Sequence, residues 1–125
     1  MKKIQASKIL ISQYMHYENL QETFKEKANV ICTDNGTLVQ IMAKHVSKKQ
    51  AVLDICREHH ISMNEVMAFG DDWNDIELFS ACRFPIAMEN AIQELKEMAC
   101  YTTRSNDEDG VAYVLEQLYV TTNNK

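Results

Sequence analysis

Turn formers are scarce in this sequence: its 125 residues include three glycines and one proline. Both residues punctuate loops, so sharp turns must be few and no low-complexity tract is available. The cysteines Cys32, Cys56, Cys82 and Cys100 form no C-x-x-C pair, which removes the usual zinc and redox spacings. Each lies in or beside an apolar stretch and reads as a buried free thiol in a reducing compartment. His16, His45, His59 and His60 show no H-E-x-x-H spacing. The pair His59-His60 reads as a helix end, where histidine suits the dipole. Positive charge is also short, with 13 Lys and Arg against 18 Asp and Glu for a net charge of -5. Nucleic-acid binding normally needs a basic patch, so no nucleic-acid partner is expected. No apolar run approaches the ~20 residues that span a bilayer, and no signal-type segment follows the N-terminal lysines. No membrane association is expected, and a cytoplasmic location is the default.

Hydrophobic residues make up 46% and charged residues 25% of the chain, the balance of a globular protein of about one domain. Ile4 to Ile11 reads as a strand, and Tyr17 to Ala28 as a helix with Leu20, Phe24 and Ala28 at four-residue spacing. Asn29 to Thr33 and Thr37 to Met42 read as strands joined by the hairpin signal Asp34-Asn35-Gly36. Ser47 is a plausible cap for a helix over Lys48 to His59, with Ala51, Val52, Ile55 and Cys56 on one face. Glu65 to Phe69 reads as a buried strand ending at Gly70. A helix over Asp72 to Ala81, a strand over Arg83 to Met88, a helix over Asn90 to Met98 and a strand over Cys100 to Thr103 follow. The last helix runs from Asp109 to Tyr119, with Val111, Val114, Leu115 and Leu118 as its stripe. The tail Thr121 to Lys125 reads as frayed. Regular alternation from Lys44 predicts an α/β fold with a parallel sheet and helices on both faces. Chemistry in such sheets sits at the carboxyl ends of strands, which singles out Gly70 and Asp71.

The loop Gly70-Asp71-Asp72-Trp73-Asn74-Asp75 crowds three carboxylates and a carboxamide behind a buried strand. Carboxylates facing one site repel unless a cation neutralises them, and magnesium suits a site of one or two carboxylates completed by water and phosphate oxygens. A purely structural alternative is a capped helix start, with Asp71 or Asp72 at the cap and Asp75 near the positive dipole end. Lys48 stands in the first turn of a helix, where the dipole disfavours it. A phosphate ligand would explain it, although neighbouring Lys49 shows that a solvated lysine is the plainer explanation. Asn90 reads as an N-cap, and Ser105 to Ala112 as a polar loop entering the last helix.

Taken together and in order, VSKKQAV, ISMNEVMAFGDDWNDIELFSAC, IAMENAIQELKEMA and TTRSNDEDGVAYVL resemble the C-terminal half of Cof-type phosphatases of the haloacid dehalogenase superfamily. The resemblance runs from about Lys44 to Leu118, with a lysine 23 positions before the loop aspartate (71 − 48). It implies a Rossmann-like core and a Mg2+ cofactor held by Asp71. It assigns Lys48 to the substrate phosphate and the nucleophile, Asn74 to the phosphoryl group, and Asp75 to support of the metal loop. No role transfers to Asp72 or Trp73. The implied partner is a small phosphorylated metabolite, sugar-phosphate-like.

The resemblance also implies a D-x-D-G-T loop carrying the nucleophile and general acid, followed by a Ser/Thr motif. Thr33-Asp34-Asn35-Gly36-Thr37 imitates that loop, but Thr33 and Asn35 occupy the two aspartate positions and cannot replace them. Only 11 positions separate Thr37 from Lys48 (48 − 37), too few for a second motif and a cap. Residues 1–43 are therefore expected to be the end of a type IIB α/β cap, and residues 44–125 the C-terminal half of the core. Such a truncated chain should expose a sheet edge or apolar face, and so dimerise, swap segments or derive from a longer protein. Alone it should hydrolyse phosphate esters poorly. The alternative is a non-catalytic module of the same ancestry that binds or interacts; a receiver-like or nucleotide-binding flavodoxin-type domain is disfavoured, because this sequence has no Gly-rich phosphate loop.

Overall fold

The computed structural model describes residues 5–124. Its N-terminal part is organised by the turn Asp34-Asn35-Gly36, whose φ angles are 52°, 55° and 84°. Asp, Asn and Gly tolerate this left-handed region and β-branched residues do not. The turn folds β2 (Ala28–Thr33) back on β3 (Leu38–Ala43), with Thr33 opposite Leu38. β1 (Lys8–Ser12) pairs antiparallel on the other side of β3, giving the order β1-β3-β2. The strand expected from Ile4 starts at Lys8, and Ile4 itself lies outside the described residues. α1 (Tyr17–Phe24) stops short of the expected Ala28, because the Lys27 amide turns back to the Phe24 carbonyl and Ala28 enters β2. Val30, Cys32 and Val39 form a small core here, covered by Ile11, Tyr14, Tyr17 and Leu20.

From Lys48 onward strands and helices alternate as expected. Ser47 caps α2 (Lys48–Glu58), its hydroxyl oxygen accepting from the Gln50 amide at 3.1 Å. A 3-10 turn (Met63–Glu65) leads into β4 (Met67–Gly70), and a second (Trp73–Asp75) opens directly into α3 (Ile76–Ala81). β5 (Phe84–Ala87), α4 (Gln93–Met98), β6 (Tyr101–Thr102) and α5 (Gly110–Asn123) follow. The strands β4, β5 and β6 lie side by side in that order and all run parallel, so each connection must cross over through a helix. Ala68, Leu78, Phe79, Ala87, Met88, Ala91 and Leu95 form the larger core, with Val52 of α2 packed against it.

Two expectations need correction. Asn90 is not the cap of α4, which starts at Gln93; the Asn90 side-chain oxygen instead accepts from the Asn106 amide at 2.9 Å. The tail is not frayed from Thr121, since α5 continues to Asn123 with the Thr121 and Thr122 hydroxyls bonded to carbonyls one turn back. The exposed apolar face that was expected is present, since the helical stripes are covered only in part. Val114 of α5 and Cys56 of α2 are buried, while Val111, Leu115, Leu118 and Ile55 stay 40–56% exposed. Among the described residues β4 also has a strand partner on one side only.

Candidate active site at the end of the first parallel strand

β4 ends at Gly70, and the lack of a side chain there matters. A Cβ on Gly70 would lie 2.7 Å from the Cβ of Asp75 and 2.8 Å from the Phe79 ring. Gly70 thus lets the loop fold back so that Asp75 sits beneath it. One Asp75 oxygen accepts from the amides of Asp71 at 3.0 Å and Asp72 at 3.4 Å. Its other oxygen takes the Lys48 ammonium at 2.5 Å. The Asp75 side chain is 3% exposed and that of Lys48 51%, so the carboxylate is the fixed partner and the lysine head reaches toward solvent. A buried carboxylate holding a cation and two amides in this way is fully satisfied.

The helix-start explanation of this loop also holds, for Asp72 and Asp75 in particular. Asp72 accepts from the Trp73 amide at 2.8 Å, and Asp75 reaches back to the Asp72 amide, a reciprocal capping arrangement. The second oxygen of Asp72 does something the sequence did not suggest. It accepts from the Asp34 amide at 2.8 Å, tying the β2–β3 turn to the loop after β4.

Asp71 points elsewhere. One of its oxygens accepts from the Asn106 carboxamide at 2.8 Å, and its backbone carbonyl accepts from the Ile92 amide at 3.0 Å. Asn106 is itself placed by Asn90. Asn90 and Asn106, read from sequence as a cap and as loop, are the residues that reasoning missed. The signal available was their place in the two matching segments IAMENA and SNDEDGVA. Among the described residues no three His, Cys, Asp or Glu side chains converge as a metal-binding group. Asp71 with one oxygen uncommitted still fits a hard cation that takes a single protein carboxylate and fills its shell with water and phosphate.

Lys48 and Asn74 line one cavity of about 410 Å³, together with Ser47, Trp73, Ile76 and Glu77 on one side. Lys8, Tyr17, Gln21, Asn29, Cys32 and Gln40 close it on the side of the antiparallel sheet. Asp71 and Asp75 are not on its lining. Burial raises the Cys32 thiol above its ordinary range, and the carboxylates of Glu18 and Asp72 push the same way. Cys32 is therefore a neutral thiol near pH 7 and no ready nucleophile. The structure thus joins Lys48 to Asp75 and sets Lys48 and Asn74 on one cavity, with Asp71 one backbone bond from Asp75.

Residues 1–115 match the family model described as haloacid dehalogenase-like hydrolase. The chain belongs to that family. It is 36% identical over 99 residues to 5-amino-6-(5-phospho-D-ribitylamino)uracil phosphatase YwtE of Bacillus subtilis, covering 78% of this chain and 35% of that protein. It is 30% identical to phosphoglycolate phosphatase of Methanothermobacter thermautotrophicus over 109 residues, 87% of this chain and 49% of the relative. Its fold matches a crystal structure of a HAD/COF-like hydrolase from Plasmodium vivax with a TM-score of 0.85 and 26% identity, over 92% of this chain and 42% of that one. The chain spans about a third to a half of the length of the relatives it matches.

Proposed function

We propose that this haloacid dehalogenase-like chain supplies the phosphate-holding and metal-holding half of a phosphatase for small phosphomonoesters. The observation that carries this reading is the Lys48–Asp75 pair at 2.5 Å, fixed at the carboxyl end of β4 and opening with Asn74 onto a cavity. Lys48 holds the phosphate, Asn74 donates to a phosphoryl oxygen, and Asp75 keeps the loop and the lysine in place. Phosphoryl transfer depends mostly on such positioning and charge stabilisation. Asp71, oriented by Asn106, holds Mg2+, which would neutralise phosphate oxygens. Residues 1–43 act as the end of a cap over the site, and residues 44–125 as the second half of the core.

Within these residues the turn Thr33 to Thr37 offers no carboxylate at Thr33 or Asn35, so the phosphate-accepting aspartate has to come from elsewhere. The same feature favours a second reading, a binding module that holds phosphorylated ligands without turning them over. Two relatives are named as phosphatases of a phosphorylated ribitylaminouracil and of phosphoglycolate, which supports a small phosphorylated metabolite as the substrate.

Titration calorimetry of the chain with inorganic phosphate and Mg2+ tests the reading. We expect weak binding, abolished in Lys48→Ala and made independent of Mg2+ in Asp71→Ala. Phosphate binding that ignores Lys48 would sink it. Turnover by the isolated chain at the ordinary enzymatic ~1–10³ s⁻¹ would instead show that it needs no outside nucleophile.

A further inference from the structure

The cavity has a second cation, and its surroundings differ from those of Lys48. Lys8 stands at the start of β1, and its ammonium donates to the Gln40 side-chain oxygen at 3.0 Å. Gln40 is buried, and its amide group donates in turn to the Thr33 hydroxyl at 2.9 Å. The chain Lys8–Gln40–Thr33 is therefore a fixed support for a charged head, made wholly from neutral partners. Among the described residues Lys8 forms no ion pair; the three pairs found are Lys25–Glu22, Lys48–Asp75 and Arg57–Asp54. Lys48 is neutralised from below by Asp75, and Lys8 is not.

The hydrogen-bonding capacity of the walls leans the same way. Asn29 has spent its amide protons on the carbonyls of Lys44 and Val46, and Gln40 has committed its oxygen to Lys8 and one amide proton to Thr33. Donors with protons left for a ligand include Lys8, Lys48, Asn74, Tyr17 and the Trp73 indole, all on the cavity lining. Glu77 is the one carboxylate there, exposed at the rim and shared with a shallower groove that also contains Lys25 and Lys44. A largely apolar cavity whose few polar groups are mostly donors, with the Lys8 ammonium unpaired at its edge, favours an anionic guest beyond the phosphate.

We infer that Lys8 determines specificity, and that the preferred ligand is a phosphomonoester whose leaving group carries a carboxylate. This rests on the reading that Lys48 and Asn74 hold the phosphate. The phosphate occupies the Lys48 end, and the carboxylate accepts from the two Lys8 protons that Gln40 leaves free. A neutral polyol in the same place would forgo the charge-assisted hydrogen bonds to Lys8.

The test titrates the 125-residue chain, with Mg2+ present, against inorganic phosphate, 3-phosphoglycerate and sn-glycerol 3-phosphate. The two esters share a carbon skeleton and differ by a carboxylate in place of a hydroxymethyl group. We expect 3-phosphoglycerate to bind about tenfold tighter than glycerol 3-phosphate, the worth of one charge-assisted hydrogen bond. Lys8→Gln should bring the two within about twofold, and Lys8→Glu should reverse the order. Neither variant should abolish binding of inorganic phosphate, which Lys48 holds, and Lys8→Gln should weaken it less than it weakens 3-phosphoglycerate. Rising salt should shrink the preference in the unaltered chain, a readout that needs no variant to fold. Equal affinity for the two esters with phosphate binding still lost in Lys48→Ala overturns the Lys8 assignment alone. A preference that survives in Lys8→Gln overturns it too. Absence of any phosphate binding overturns the underlying phosphate-site reading, and this inference with it.

Discussion

The antiparallel sheet β1-β3-β2 and the parallel sheet β4-β5-β6 have three strands each, yet they are stabilised differently and contribute different chemistry. Under the parallel sheet, helices bury whole side chains: Leu95 of α4 is 0% exposed and Phe79 of α3 3%. Over the antiparallel sheet α1 buries no residue fully, and Ile9 and Leu10 of β1 are 52% and 58% exposed. The parallel part supplies the backbone-anchored charges, with Asp75 locked under the loop. The antiparallel part supplies side-chain donors from strands whose outer neighbours, β1 and α1, are lightly packed. The loose packing is confined to β1 and α1, since Val39 and Thr33 in the strands beside them are 0% and 3% exposed.

The largest effect should come from the core that anchors the loop. Leu95→Ala removes a fully buried side chain beside Ala87 and Met88 and should cost about 3–5 kcal/mol in urea unfolding. Leu20→Ala on half-buried α1 should cost about 1–2 kcal/mol, in proportion to the smaller area it covers. Equal costs would erase the difference between the two sheets.

The next effect separates the two members of the ion pair. Asp75→Ala orphans the Asp71 and Asp72 amides and leaves Lys48 without its partner, and should cost about 2–3 kcal/mol. Lys48→Ala should cost under about 1 kcal/mol, because its head is half in water and Asp75 keeps its two amides. Similar losses from both would mean that the pair, and not the loop scaffold, stabilises this end of β4.

The sequence announced the parallel part well because its elements are short, strongly patterned and separated by capping residues that act locally, Ser47 before α2 and Asp72 before the Trp73–Asp75 turn. The Asp34-Asn35-Gly36 hairpin was legible for the same reason, since left-handed φ restricts residue choice. Contacts between distant segments were not. Nothing local in Asn106 shows that its carboxamide reaches Asp71, 35 positions away, or that Asn90 fixes it from 16 away. Gln40 and Lys8 belong to an ordinary-looking β pairing, Leu10 opposite Gln40, and only the folded sheet puts the Lys8 head on the Gln40 amide. Helical spacing marked Leu115 and Leu118 as apolar, but spacing cannot say whether anything covers them.

The most local effect lies where the two sheets are joined. Asp72 caps the turn at Trp73 with one oxygen and holds the Asp34 amide with the other. Asp72→Ala loses both and should cost about 1–2 kcal/mol, of which the cap alone accounts for ~1. Asp72→Asn caps as well as aspartate, so its loss should be a few tenths of a kcal/mol. The informative readout is local: hydrogen exchange at the Asp34 amide, which sits in an exposed turn and has this carboxylate as its partner. Exchange there should quicken in Asp72→Ala by more than the global loss of stability accounts for, and only slightly in Asp72→Asn. If Asp34 exchanges at the same rate in all three proteins, the β2–β3 turn is held against the loop by packing of β2 on the Trp73–Asp75 turn, and the antiparallel sheet owes its position to Trp73 more than to Asp72.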